Sequence, residues 1–253
     1  FLDAVPVGRS VLGREIMGLV VGGGRERVLY AAAFHGQEWI TSLVLLRLCE
    51  DICETLEQEG RIADMDFRQA LAGRSLFLIP QVNPDGVDIA LHGSGAAGDY
   101  AQQVADLGGD IHGRWQANVR GVDINHNFNA GWQLLQAIER KNGITGPSPR
   151  QWGGPAPESE PETAALTGLC RQAGFRHVLA LHTQGEEIQV IFLDCGRSLA
   201  TFRTFLLRLG LIGPEYKNVR MHLLKNLPGD KAWRHDKSLY PSNQPRPRTD
   251  EVR

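Results

Sequence analysis

Residues 27–60, "RVLYAAAFHGQEWITSLVLLRLCEDICETLEQEG", read as strand, loop and helix in immediate succession. The first part, 27 to 35, is a short, continuously apolar run without helical period, the pattern of a parallel-sheet strand covered on both faces. From about 38 to 58 the apolar residues fall at 39, 40, 43, 44, 46, 48, 52 and 56. That is helical spacing, and Gly60 closes the segment. At the junction, His35 and Glu38 interrupt the apolar run, three residues apart.

Outward from this unit the pattern recurs. "RSLFLIPQVNPDG" (74–86) reads as a strand running into a turn at "NPDG", where Pro84 presets φ and Gly86 tolerates a positive one. "HVLALHTQG" (177–185) reads as another buried strand ending in a polar loop. A helix precedes it in "PESEPETAALTGLCRQAG", with Ser159 and Glu162 at capping-box spacing and Pro161 in the first turn. Alternating strands and helices predict an α/β domain with a mainly parallel sheet. Residues 93–115 are Gly-rich and polar, an excursion expected to cover a site. Residues 227–253 carry four prolines and many charges with little apolar periodicity. The expected organisation is a single domain over 1–226 and an atypical tail over 227–253.

Bulk properties narrow the function. With 253 residues and 42% hydrophobic content the chain can build a substantial core. A formal net charge of −2 gives no basic surplus for nucleic acid or an anionic membrane. Cys49, Cys53, Cys170 and Cys195 are too few and too scattered for a disulfide framework and read as reduced thiols. There is no basic, apolar leader and no run of 18 apolar residues, so neither a signal peptide nor a membrane span is expected. That favours a cytoplasmic location, although a start at Phe1 leaves an exported protein with a removed leader open.

In open α/β sheets, sites form outside the carboxyl ends of the strands. His35, Glu38 and His182 all fall at such ends. Two histidines and one carboxylate form a catalytic zinc set that leaves a position open for water, which the metal makes more acidic. By itself H-x-x-E is a weak motif, because His and Glu at helix starts also serve as caps and dipole partners. Asp123 could support a ligand histidine or tie down its own loop. Glu186 and Glu187 shape the pocket or are solvated, and Trp39, Trp115 and Trp132 read as packing residues.

The segment "RWQANVRGVDINHNF" (114–128), together with "HGQEW", "PQVNPDG", "PESEPET" and "ALHTQGEE", resembles the zinc metallocarboxypeptidase family. It is more closely similar to the bacterial branch of γ-D-glutamyl-diamino-acid peptidases that act on murein peptides. The resemblance runs in order from about residue 6 to 195 and implies a three-layer α/β/α fold with a mixed, mainly parallel twisted sheet. It implies one zinc ion per chain held by His35, Glu38 and His182, and a murein-derived peptide substrate. By the same resemblance Asn125 and His126 bind the substrate's polar end, and Arg120 or Arg114 polarises the scissile carbonyl. Family members of the common type carry Arg where this chain has His126, and imidazole lacks the two-pronged charged fork that grips a carboxylate.

Such hydrolysis also needs a carboxylate distinct from the ligand to take a proton from water. The family places it on a late strand, and the only comparable string here is "RTDEVR", which offers Glu251 as general base; the family's substrate-site tyrosine finds no matching motif, Tyr240 upstream of that string being the residue on hand. Pro241, Pro245 and Pro247 would interrupt a central strand there. The C-terminal part is therefore expected to be truncated or disordered. The leading expectation is a zinc peptidase cutting an amide beside a diamino acid in cell-wall peptides. The alternatives are a catalytically impaired, zinc-retaining homologue or binding protein, and an ordinary metallocarboxypeptidase.

Overall fold

The computed structural model describes residues 2–62, 65–111, 113–183 and the backbone of 190–192. Strands β1 (Leu2–Arg9) and β2 (Glu15–Val21) form an antiparallel hairpin. They are followed by β3 (Glu26–Ala31), α1 (Ile40–Gln58), the short α2 (Phe67–Ala70) and β4 (Arg74–Ile79). Then come α3 (Pro84–His92), α4 (Ala101–Asp106), α5 (Trp132–Lys141), α6 (Pro161–Ala173), β5 (His177–Leu181) and β6 (Val190–Phe192). The sheet order is β1-β2-β4-β3-β5-β6. The parallel pairings, β4 with β3 and β3 with β5, lie at its centre, and the flanking ones are antiparallel.

Alternation along β3 divides its side chains between two cores. Leu29 and Ala31 point to the face packed by α6 through Leu166, Leu169 and Cys170. Val28 and Tyr30 point to the other, where α1 contributes Leu45, Cys49 and Ile52. The result is the expected three-layer arrangement. The amino-terminal hairpin was not anticipated, because β1 is largely exposed and its alternation is correspondingly weak.

Three local expectations are corrected. "NPDG" is the start of α3 rather than a turn: the Asn83 side chain accepts from the Gly86 N–H and Pro84 occupies the first helical turn, where its missing N–H costs nothing. The segment 93–115 is not a bare loop: it contains a 3₁₀ stretch (Ser94–Tyr100) and α4, and Ala97, Val104 and Trp115 bury a satellite core against α3. The Ser159/Glu162 capping box is not formed. Glu160 is the N-cap of α6, while Glu162 turns inward to accept from the Val11 N–H. No described helix is long and apolar enough to cross a membrane.

Candidate metal centre

The site is built where the central parallel strands end. Beyond β3, the pairing continues as the Ala32 N–H donates to Ile79 O and the Asn83 N–H to Ala33 O. Ala33 has a φ of 50°, a left-handed conformation unusual for alanine. Its N–H donates to Thr41 Oγ1, whose hydroxyl donates to Glu38 O, so the bend is held from both sides. The next turn, a 3₁₀ stretch at Gly36–Glu38, donates its Gly36 and Gln37 N–H groups to Gln116 O and Trp115 O. A β-carbon on Gly36 would stand 2.1 Å from Gly86 O, so only glycine permits this close approach.

This turn brings His35 and Glu38 together, and β5, in parallel register with β3, adds His182 just past its last residue. His35 Nδ1 lies 2.9 Å from Glu38 Oε1, and His182 Nδ1 lies 2.9 Å from Glu38 Oε2. Phe34 stacks on the His182 ring with centroids 5.2 Å apart. The three residues are 9%, 1% and 7% exposed, so their polar atoms have left bulk water. Each offers a ligand atom, all within 4.8 Å of one another. A tetrahedral zinc with bonds of about 2.0–2.1 Å holds its donors roughly 3.3 Å apart, close to the spacing present. The donor set therefore fits zinc.

Asp123 supports this set from the loop that begins at Trp115. Its Oδ1 stands 3.2 Å from His35 Nε2 and accepts from the Asn125 N–H, and its Oδ2 accepts from the Gln151 N–H. A carboxylate on the far nitrogen of a ligand histidine fixes the ring's orientation and raises its basicity. In the metal-free protein, burial alone would lower the His35 imidazolium, but hydrogen bonds to Asp123 and Glu38 outweigh it and push its pKa up to about 10. Burial would raise the Asp123 carboxyl, yet the bond to His35 holds it down to about 2. The pocket thus strongly favours a cation.

The other predicted residues divide. Asn125 and His126 follow Asp123 in a 3₁₀ turn (Ile124–His126), adjacent to the metal cluster. His126 Nδ1 is held by Glu139 Oε1 and Gln151 O, each at 2.9 Å. Arg114 is exposed and directly precedes Trp115, whose carbonyl accepts from Gln37 beside the ligands. Arg120 is turned elsewhere, 3.5 Å from Glu160 and hydrogen-bonded to Tyr100, in a cavity of about 330 Å³ whose lining includes none of the cluster. Trp115 is buried and the Trp132 indole donates to Gly153 O, both structural roles. Glu251, Tyr240, Glu186, Glu187 and Cys195 lie outside the described residues.

Sequence reasoning missed the polar residues that hold this loop. Asn118 donates to Glu160 and accepts from the Arg120 and Val122 N–H groups. Asn127 donates to Gly153 O, Ala156 O and Ser159 Oγ, and accepts from the Glu160 N–H. Asn83 donates to the carbonyls of Phe34, Gln116 and Ala117. The signal available was three asparagines in segments otherwise rich in Gly, Pro and apolar residues. Each is fully buried, and a buried amide must be paired.

Fold and site together define a candidate metal centre, a two-histidine, one-carboxylate cluster at the carboxyl edge of a mixed α/β sheet. The chain belongs to the zinc carboxypeptidase family, whose pattern matches residues 1–223. It is 36% identical over 190 residues to γ-D-glutamyl-L-diamino acid endopeptidase 1 of Lysinibacillus sphaericus, covering 74% of this chain and 47% of the relative. It is 37% identical over 227 residues to the uncharacterised protein YqgT of Bacillus subtilis (strain 168), covering 87% and 58%. The chain thus spans about half the length of the curated relatives it matches. The crystal structure of thrombin-activatable fibrinolysis inhibitor superposes with a TM-score of 0.58 at 17% identity, over 90% of this chain and 52% of that one, a likeness of fold. Zinc in such a site supplies Lewis acidity and acidifies a water molecule.

Proposed function

We propose that this protein is a zinc-dependent peptidase that hydrolyses an amide bond beside a diamino acid in cell-wall peptides. The observation that carries the hydrolytic reading is the convergence of His35 Nδ1 and His182 Nδ1 on one buried glutamate, with Asp123 behind the first histidine. The substrate class is supported by the similarity to the Lysinibacillus endopeptidase. In this reading His35, Glu38 and His182 hold zinc. Arg114, beside the turn that carries the ligands, stabilises the developing oxyanion in preference to Arg120, whose guanidinium is engaged by Glu160 and Tyr100. Asn125 and His126 hold the polar end of the substrate.

The base must be a carboxylate free to exchange a proton. Asp123 is unsuited, since both its oxygens are committed to His35, Asn125 and Gln151. Glu251 is assigned this role. The deciding experiment measures zinc content and hydrolysis of L-Ala-γ-D-Glu-diaminopimelate and of an ordinary L-dipeptide by the full-length protein, with and without chelator. About one zinc per chain and chelator-sensitive cleavage of the murein peptide are expected. Glu251→Gln should retain the metal and lower kcat about 10²–10⁴-fold. Absence of zinc from the purified protein, or metal content unchanged by His35→Ala, would sink the reading.

A further inference from the structure

Glu139 is a buried acid on α5, a helix whose other charged residues face outward, and nothing in the chemistry described so far uses it. Its side chain is 2% exposed. A charge buried this deeply is costly unless every oxygen is paired. Here Oε1 meets His126 Nδ1 at 2.9 Å, and Oε2 accepts from Gln136 Nε2 at 2.7 Å and the Gly153 N–H at 3.2 Å. Every partner able to donate points at it, the pattern of an ionised, acceptor-only carboxylate.

His126 Nδ1 also lies 2.9 Å from Gln151 O. A carbonyl oxygen can only accept, so Nδ1 must carry hydrogen. Gln151 is left-handed, with a φ of 68°, and is pinned at both ends: its N–H donates to Asp123 Oδ2 and its carbonyl receives His126. The imidazole is thus fixed by α5, by the turn at Gln151 and by its own 3₁₀ turn. Nε2 has no partner among the described residues, and the side chain remains 24% exposed. In the neutral ring Nε2 is a hydrogen-bond acceptor. If the ring takes a second proton, its charge is matched by Glu139, with Asp123 a second negative neighbour. In neither state do His126 and Glu139 together carry net positive charge, whereas arginine at this position always would.

We infer that Glu139 is a specificity-determining positioning residue, which presents His126 Nε2 to the substrate so that this subsite favours a hydrogen-bond-donating group, such as an amide N–H, over a free carboxylate. The inference rests on the peptidase reading only for the identity of the subsite. It places the preferred scissile bond within a peptide or before an amidated residue rather than before a terminal carboxylate.

The test uses zinc-loaded full-length protein and two peptides identical except for a carboxylate or a carboxamide on the diamino acid. Long-range ¹H–¹⁵N NMR of labelled histidines should show His126 as the Nδ1–H tautomer in the wild type. The carboxamide should be preferred at least about tenfold, chiefly in KM, as when a hydrogen-bonding site meets a group of unlike polarity. Glu139→Gln should shrink that ratio severalfold with zinc content unchanged, and His126→Arg should reverse it. An Nε2–H tautomer in the wild type, a preference for the carboxylate, or a Glu139→Gln that slows both peptides equally would overturn the inference. If neither peptide is cut, the peptidase reading fails instead. The ratio of their dissociation constants, read from the His126 resonance, then decides this inference. Should Glu139→Gln not fold, the wild-type tautomer and ratio suffice.

Discussion

Asp123 accepts from a histidine on one side and two backbone N–H groups on the other, so it transmits the shape of its loop to the metal ligand. Asp123→Asn keeps the volume but removes the charge that orients and polarises His35, and zinc affinity should fall about 10–100-fold, measurable by competition with a chromophoric chelator. Glu162 sets a different dependence. Burial, which hydrogen bonds from its own backbone and from Val11 oppose, raises this carboxyl to about 7 from its ordinary 4.5. Between those pH values the folded chain keeps a proton the unfolded chain has lost, so this group's contribution to stability declines as pH rises through the window. Glu162→Gln should therefore be neutral near pH 4 and stabilising by on the order of 2–3 kcal/mol above pH 8, read from urea midpoints. Of the site's residues, His35, Glu38 and His182 were legible through their strand-end positions taken with the family resemblance, whereas the sequence left Asp123, in a loop, open between supporting a ligand and tying down its own turn. Glu139 was not, since a buried glutamate and a surface one look alike in a polar helix.

At the scale of elements, the junction from β3 to α1 is the most tightly constrained. Gly36 packs its α-carbon against the first turn of α3 while its N–H reaches Gln116 O. Gly36→Ala should destabilise the fold by about 1–3 kcal/mol through overpacking and should cost zinc as well, because the displaced turn carries both His35 and Glu38. A variant that bound zinc as tightly as wild type would show that the turn accommodates the methyl elsewhere. The strand and helix of this unit were readable from their periods, 26–31 and 40–58 against expected 27–35 and 38–58. Where elements begin was less readable. Asn83 caps α3 because three carbonyls from two other segments orient its amide, and Glu160 rather than Ser159 precedes α6 because Asn118 and Val11 draw the neighbouring carboxylates inward. Such competition among distant partners leaves no local trace.

For the whole molecule, a zinc ion held by His35, Glu38 and His182 would join the turn between β3 and α1 to the end of β5, with the Asp123 loop tied in through His35. Ligand that binds only the folded state stabilises it by RT ln(1 + [L]/Kd), about 2.7 kcal/mol at a hundredfold excess over Kd. Zinc should thus raise the unfolding temperature, chelator should lower it, and Glu38→Gln should abolish the difference in calorimetry. The alternation of strands and helices, the ligand types and their strand-end positions could be determined from the sequence alone, because short-range spacing encodes period and chemistry. The partnership of Glu38 with His182, 144 residues apart, depends on the register that sets Val28 opposite His177 and Ala31 opposite Ala180. Likewise, only tertiary structure set Arg120 beside Glu160 and Tyr100 and turned His126 towards Glu139. Those choices depend on which groups are brought within hydrogen-bonding distance after the backbone has folded, and no spacing along the chain specifies that.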